Sequence, residues 1–204
     1  MEKHFSLNDI LGMERFYRRN LMNSISGFKP CNLIGTISYR EVANVAIFNS
    51  VVHIGATPPL LGFVMRPLTV PRQTYHNIKA REFFTINAVA RSFYERAHQT
   101  SAKYGDQVSE FEACGLTPQY TDTHPAPYVR ESPVKLGLQW EEEHHIRANG
   151  SIFIIGKVVE VLADDSLLAP DGHLGLEKAG ILSVAGLDSY YESELLGRLG
   201  YARP

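Results

Sequence analysis

The sequence predicts a mainly β protein, a small antiparallel β-barrel with flanking helices. Five or six runs rich in branched and aromatic residues recur along the 204 residues, and turns rather than regular helices separate most of them. In the clearest run, Val134–Trp140, apolar residues alternate with period two, as in a half-buried strand. The pair Asn149-Gly150 then predicts a tight turn and an antiparallel return strand. These observations favour a single barrel domain over a parallel α/β fold.

The first predicted element is an amphipathic helix over Asp9–Ser26. Apolar residues recur at helical spacing from Ile10 to Ile25, while the arginines of this stretch lie mostly on the other face. Gly27 follows as a natural helix stop.

Four strands are predicted in the first half of the chain. The turn Gly55–Pro59 separates the second from the third, because a double proline cannot continue a sheet ladder. A short helix, Thr74–Ala80 with Thr74 as its N-cap, precedes the fourth. The predicted strands are Asn32–Ser38, Val45–Ile54, Leu60–Arg66 and Phe83–Ala88.

The second half adds weaker helical signals and the hairpin. Phe93–Lys103 predicts a weakly amphipathic helix, and Ser109–Cys114 predicts a helical turn or two closed by Gly115. Thr117–Pro133 carries four prolines among polar residues and predicts a loop. The return strand of the hairpin is Ser151–Leu162.

Charge and composition exclude several classes of function. A formal net charge of −2 and a pI near 6.4 give no basis for a nucleic-acid or acidic-membrane partner. No apolar run approaches the ~20 residues that span a bilayer, and the polar N-terminal segment lacks a signal peptide's apolar region. Cys31 and Cys114 lie far apart, which fits reduced thiols in a cytoplasmic protein.

The best candidate site is the strand Asn44–Ser50 and the basic and hydroxyl residues that follow it. The strand mixes apolar residues with polar ones, so one face is suited to a flat apolar ligand. Arg66, Arg72 and Thr74 follow at a strand end and a helix start, where positive charge and backbone N–H groups attract a phosphate. Arg72 is equally compatible with a solvated loop residue.

Other patterns give no independent sign of catalytic chemistry. Glu141–His145 is rich in metal-ligating types, but alternate residues of a strand point to opposite faces, so the pattern favours a solvated strand end. Gly172, Gly175 and Gly180 are spaced wrongly for a dinucleotide fingerprint. The sequence therefore predicts no metal site and no catalytic side chain.

The order of these pieces resembles the flavin reductase-like family, whose members bind FMN in a split β-barrel. The resemblance covers roughly residues 30–192 and continues through Glu110–Pro118, Glu131–Val134 and Ile154–Val161. Its residues in the first half are Asn44, Ala46, Phe48, Asn49, Ser50, Val51, Pro58, Pro59, Leu60, Thr74, Asn77, Ile78, Phe84 and Asn87.

The resemblance implies an antiparallel Greek-key split barrel and a flavin site. NADH or NADPH would deliver hydride to FMN, and reduced flavin would pass electrons to an acceptor, such as a partner monooxygenase. The family is typically homodimeric, with the flavin near the interface. The implied flavin contacts are Asn44, Phe48, Asn49, Ser50, Val51, Arg66, Arg72, Thr74, His98, Thr100 and Tyr190.

Three of these expectations stay open at the level of sequence. His98 is equally compatible with a structural helix cap, and packing alone explains Tyr190. Leu187 stands where the family usually has arginine, which leaves the choice of substrate uncertain. The alternatives to a reductase are a flavoredoxin-like FMN electron carrier and a ligand-binding split barrel without flavin.

Overall fold

The computed structural model describes residues 1–203, and within them the chain forms five α-helices and twelve strands. The helices are α1 (Leu7–Gly12), α2 (Arg15–Ser24), α3 (Gln73–Arg81), α4 (Tyr94–Gln99) and α5 (Glu110–Ala113). The strands are β1 (Lys29–Pro30), β2 (Asn32–Ile37), β3 (Ala43–Phe48), β4 (Val52–Ala56), β5 (Pro59–Met65), β6 (Phe83–Ala88), β7 (Pro118–Gln119), β8 (Tyr128–Val129), β9 (Val134–Ile146), β10 (Ser151–Ala163), β11 (Leu182–Ala185) and β12 (Ser189–Glu192).

A seven-stranded sheet in the order β3-β2-β6-β9-β10-β5-β4 forms the barrel. Each pair of neighbouring strands in this sheet is antiparallel, which confirms the predicted mainly β, antiparallel class. The two edge strands, β3 and β4, are consecutive in the chain and are joined by Asn49–Val51 alone. So short a connection requires the sheet to curl until its edges approach each other. We call Asn49–Val51 the seam of the barrel.

The side chain of Ser50 holds the seam to β5. Its Oγ donates to the carbonyl of Val64 and accepts from the Val64 N–H, both at 3.1 Å. The β4–β5 register pairs Val52 with Gly62, so Ser50 lies where the next pair would place a partner for Val64. One hydroxyl thus satisfies the backbone groups of Val64 where the regular ladder ends.

Two apolar cores lie on the two faces of the sheet. Alternate residues of β2 separate them: Ile34 belongs to the barrel interior and Leu33 to the outer core. The interior core contains Ile34, Phe63, Met65, Ile78, Phe84, Ile86, Leu138, Ile152 and Ile154. The outer core contains Cys31, Leu33, Val45, Val89, Ala90, Phe93, Ala97, Phe111, Cys114, Leu116, Val129 and Val184.

The outer core explains where the remaining elements pack. Helix α4 packs against this core through Phe93 and Ala97, and α5 packs through Phe111. The small sheet β1-β11-β12 packs through Val184. Tyr190 and Ile47 pack against the same cluster. Helices α4 and α5 and the small sheet therefore cover the outer face of the barrel beside β3.

The predicted single helix over Asp9–Ser26 is wrong, because two helices occupy that stretch. Ser6 and Asp9 form a capping box that starts α1 two residues earlier, and Met13 is extended with ψ 148°. Glu14 then caps α2 by accepting from the N–H groups of Phe16 and Tyr17. The capping side chain of Glu14 therefore starts a second helix within the stretch where the apolar spacing predicts one.

The predicted strand Val45–Ile54 is also wrong as one element, since the seam divides it between opposite edges of the sheet. The predicted strand Leu60–Arg66 is confirmed as β5, which begins and ends one residue earlier. Pro59 belongs to that strand and pairs with Ala56, so the turn is shorter than Gly55–Pro59. Pro59 begins the strand, a position where proline is tolerated.

The C-terminal hairpin is confirmed and extends beyond its predicted ends. Gly150 adopts φ +73° in the turn, and β9 continues past Trp140 to Ile146. The helix predicted over Phe93–Lys103 is shorter, as α4. The segment predicted as a loop, Thr117–Pro133, contains the small pair β7–β8.

We expect Gly35→Ala to destabilise the fold by about 3 kcal/mol, at the upper end of overpacking costs. A Cβ on Gly35 of β2 would collide with the backbone carbonyl of Pro127 and lie 2.5 Å from Thr85 Oγ1. The Pro127 carbonyl oxygen itself accepts a hydrogen bond from the Thr85 hydroxyl at 2.7 Å, so the carbonyl cannot move away without losing this bond. Urea unfolding followed by circular dichroism measures the loss.

Gly12→Ala is the matched control for this substitution. A Cβ on Gly12 of α1 meets nothing within 4 Å, so alanine should leave stability unchanged or raise it by up to about 1 kcal/mol. Equal effects of the two substitutions would contradict the close approach at Gly35.

Candidate functional site

The site residues predicted on β3 and just beyond it divide into two groups. Asn44 and Asn49 are five residues apart along an extended chain, which separates them by roughly 16 Å. Asn44 lies beside the first turn of α3, whereas Asn49 belongs to the seam. A ligand that contacts both groups must therefore lie along the strand.

The seam forms the first group and is anchored by its own side chains. Asn49 Nδ2 donates to the carbonyl of Gly186 at 2.9 Å, which ties the seam to the β11–β12 turn. Phe48 and Val51 pack against the interior core. Phe48 and the three seam residues Asn49–Val51 remain partly exposed, so the seam keeps a solvent-facing edge.

His98 and Tyr190 form a pair on the outer layer near the seam. The Nδ1 atom of His98 lies 2.7 Å from the Tyr190 hydroxyl oxygen, and the rings meet edge to face. Burial raises the pKa of Tyr190 above its usual value, so the hydroxyl stays protonated at neutral pH. The structure brings these two sequence candidates together as one hydrogen-bonded unit.

The two predicted arginines lie at the ends of the loop between β5 and α3. Arg66 is exposed directly after β5, two residues beyond the partner of Ser50. Arg72 is the N-cap residue of α3, and its Nε is buried without a hydrogen-bond acceptor among residues 1–203. A buried cationic donor without a partner beside a helix start suits an anion.

The prediction that Thr74 is the N-cap is wrong, because Arg72 holds that position. Thr74 lies in the first turn of α3, is 5 % exposed, and donates its hydroxyl to Asn44 Oδ1 at 3.3 Å. Thr36 donates to the same oxygen at 3.2 Å, and Asn77 Nδ2 donates to Thr36 Oγ1 at 3.0 Å. Asn44 and Thr74 are thus joined inside a buried polar network.

Glu110 completes this network. The sequence analysis placed it in a segment that resembles the family but did not assign it to the site. Its Oε2 accepts from Asn44 Nδ2 at 2.7 Å and from the Val45 N–H at 3.4 Å. Burial raises the pKa of Glu110 despite these hydrogen bonds. No local pattern connects Glu110 to β3, because its partners are 65 and 66 positions away in the chain.

Thr100 lies at the C-cap of α4, where its side chain is buried. Its hydroxyl donates to the Ala97 carbonyl at 2.7 Å. The single hydroxyl hydrogen of Thr100 is therefore used in the hydrogen bond that caps the helix.

The acidic run after Trp140 is not entirely a solvated strand end. Glu143 is only partly exposed, because Tyr75 donates to it at 3.1 Å and Lys79 lies 3.3 Å away. These contacts fasten β9 to α3 from outside the barrel.

Among residues 1–203, no group of three His, Cys, Asp or Glu side chains is placed to hold a metal ion. Nor does that part of the chain contain a helix of the length and apolar character needed to cross a membrane.

Comparison with known proteins identifies the class. A model of the flavin reductase like domain matches residues 28–175, so the chain belongs to the flavin reductase-like family. Membership makes it a flavin-related oxidoreductase with the split-barrel fold.

Solved structures agree with this assignment. A proposed flavin reductase with a split barrel domain from Shewanella frigidimarina NCIMB 400 is 44 % identical, with a TM-score of 0.95 over 98 % of this chain and 100 % of that one. Flavoredoxin of Desulfovibrio vulgaris (Miyazaki F) is 26 % identical, with a TM-score of 0.75 over 97 % of each chain. Nitrilotriacetate monooxygenase component B from Bacillus cereus shares the fold at 19 % identity, with a TM-score of 0.85 over 98 % of this chain and 100 % of that one.

We expect Glu110→Gln to gain stability relative to wild type as pH rises from about 4 to 7. The folded-state pKa of Glu110 is raised, so its favourable contribution is complete below the unfolded pKa of about 4.3 and is lost as pH rises through the folded value. Glutamine keeps an acceptor for Asn44 without a buried charge. Urea unfolding at a series of pH values measures the difference.

Glu112→Gln on the same helix is the control, because Glu112 is exposed. Its free energy of unfolding should stay within about 0.5 kcal/mol of wild type at every pH. If Glu110→Gln instead loses stability relative to wild type as pH rises, the carboxylate is favourable when it is ionised.

Proposed function

We propose that this protein binds FMN along β3 and acts as an NAD(P)H-dependent flavin reductase. The observation that carries the proposal is the seam, where the Asn-Ser pair of the family pattern leaves the sheet. Arg66 lies two residues beyond Val64, the partner of Ser50, and the start of α3 lies beside Asn44 at the other end of β3. The His98–Tyr190 pair lies on the outer layer. A flat ring with a phosphate tail matches this arrangement of apolar, hydrogen-bonding and cationic surfaces.

The residues present fit FMN. The seam would contact the edge of the ring through its backbone and the side chains of Asn49 and Ser50, while Phe48 and Val51 support it from the interior core. The phosphate would lie at the first turn of α3, near Arg66 and the unpartnered Nε of Arg72. Bound FMN would supply the hydride-accepting chemistry.

The protein's own groups then bind, orient and exclude water rather than move protons. Asn49 and Ser50 do not ionise near neutral pH, and Tyr190 stays protonated because burial raises its pKa. No catalytic acid, nucleophile or metal is invoked. The nicotinamide of NADH or NADPH would stack directly over the flavin, which makes alignment the main contribution to rate.

A flavoredoxin-like electron carrier is the second candidate. Leu187, where the family usually has arginine, follows Gly186, the residue whose carbonyl anchors the seam. The chain is also 26 % identical to a flavoredoxin. A missing cation beside the site would weaken use of a phosphorylated pyridine nucleotide while leaving flavin binding intact.

The protein purified with FMN should show a visible flavin band that NADH or NADPH bleaches without oxygen in a stopped-flow experiment. Because Asn49 joins the seam to the β11–β12 turn, Asn49→Ala should weaken FMN binding at least several-fold, a lost hydrogen bond costing about 1 kcal/mol. Asn23→Ala is the matched control: this amide also donates to a backbone carbonyl, at 2.7 Å on α2, but lies outside the site.

The outcomes separate the candidates. Bleaching by dithionite but not by either pyridine nucleotide would replace the reductase with the carrier. Failure to bind flavin at all would leave a ligand-binding barrel without the cofactor.

We also propose a homodimer with the flavin site near the interface. Large apolar side chains are exposed on several elements, including Val159 and Val161 on β10 and Phe16 and Ile25 at the N-terminal helices. Burying such surface against a second copy stabilises both chains and closes the open side of the seam.

Sedimentation should give twice the 22.8 kDa mass of one chain. Val161→Glu should shift the protein toward monomer, because a charge replaces a side chain that is 56 % exposed in one chain and buried in the proposed pair. Lys157→Glu, at an exposed position on the same strand, is the control. A wild-type monomer that binds flavin fully would reject the arrangement.

The electron acceptor and the location of the protein are further proposals. The nitrilotriacetate monooxygenase component with the same fold supports a partner monooxygenase as acceptor. Oxygen uptake that requires both the protein and a candidate oxygenase would test it. Two buried free cysteines fit a cytoplasmic protein, and cell fractionation tests that assignment.

A further inference from the structure

The carboxylate of Glu110 joins three elements that are distant in sequence. It belongs to α5, accepts hydrogen bonds from Asn44 and Val45 on β3, and through Asn44 reaches Thr74 on α3. Glu110, Asn44 and Thr74 are each at most 6 % exposed. This chain of contacts therefore lies inside the protein, directly behind the first turn of α3.

An ionised carboxylate determines the direction of every hydrogen bond in this chain. It can only accept, so Asn44 must present Nδ2 to Glu110, at 2.7 Å, and Oδ1 to the opposite side. That oxygen accepts from both Thr36 and Thr74. Each threonine has a single hydroxyl hydrogen, and each donates it to Asn44 Oδ1.

Two consequences follow for the first turn of α3. Thr74 has no hydroxyl hydrogen left for an anion, so it anchors the turn from inside rather than binding the ligand. Donors for a phosphate are then the backbone N–H groups of the first turn and the side chain of Arg72, whose Nε lacks a partner among the described residues. Their positions depend on the anchor behind them.

We propose that Glu110 is a positioning residue for the phosphate end of the flavin site, acting through Asn44 and Thr74 on the first turn of α3. The proposal rests on the proposed FMN function. It assigns to a buried carboxylate the placement of donors for an anion that it does not touch. A second tether, from Gln73 to Asp106 at 2.9 Å, is exposed and holds the same turn from outside.

The ratio of riboflavin to FMN dissociation constants isolates the phosphate contribution, because the two ligands share the ring and ribityl chain. Wild type should bind FMN at least tenfold more tightly than riboflavin, as a charge-assisted contact implies. Glu110→Ala should reduce this preference several-fold or more while riboflavin affinity stays within about twofold. Glu110→Gln should restore the wild-type ratio, because its amide oxygen can still accept from Asn44 and Val45.

A matched control distinguishes positioning from general loosening. Glu131 is also a half-buried carboxylate that joins distant segments, accepting from the Thr117 N–H at 3.2 Å and hydroxyl at 3.1 Å. Glu131→Ala should lower the unfolding midpoint without changing the ratio. If Glu110→Ala fails to fold, Thr74→Val decides, since it cuts only the last link and should reduce the ratio in the same way.

The outcomes identify which proposal fails. No binding of either ligand overturns the flavin function, and equal binding of both by wild type overturns the phosphate site and the role of Glu110 with it. A full wild-type preference that persists in Glu110→Ala, or in Thr74→Val, overturns the positioning role alone. An equal loss in Glu131→Ala shows general loosening and also overturns it.

Discussion

The closure of the barrel at the seam is the constraint on which the rest of the structure depends. Edge strands β3 and β4 are consecutive in the chain, and Asn49–Val51 must reach from one edge of a seven-stranded sheet to the other. The sheet can satisfy that limit only by twisting and curling into a barrel. Ser50 bonds both backbone groups of Val64, so the edge of β5 is not left unpaired where the ladder stops.

Closure also determines where function can be located. The strands near the seam have apolar neighbours on both faces: Phe48 packs into the barrel, and Ile47 packs toward the outer helices and the small sheet. The seam is consequently rigid, yet it remains partly exposed. A rigid segment with a solvent-facing edge is a suitable platform for a flat ligand, because little conformational entropy is lost on binding. The outer layer adds Tyr190, held by His98, from a separate part of the chain.

The buried polar network behind α3 joins a carboxylate, an amide and two hydroxyls from four elements of the fold. Burial raises the pKa of Glu110, while hydrogen bonds from Val45 and Asn44 act in the opposite direction. An acceptor-only group orients Asn44 and both threonines without ambiguity. An apolar core at this point would pack these elements together but would not orient the start of a helix.

Local patterns in the sequence determined the mainly β class, the C-terminal hairpin and most strand positions, because alternation and Asn149-Gly150 act over a few residues. The family motif also drew attention to Asn49 and Ser50, whose side chains hold the seam to Gly186 and Val64. Only the tertiary structure decided that the strand through them is divided between opposite sheet edges, since closure is a property of the whole sheet. It alone placed Glu110 against Asn44 and moved Thr74 from the N-cap into the first turn of α3, because these side chains contact partners 30 to 66 residues away, a distance over which no local period carries information.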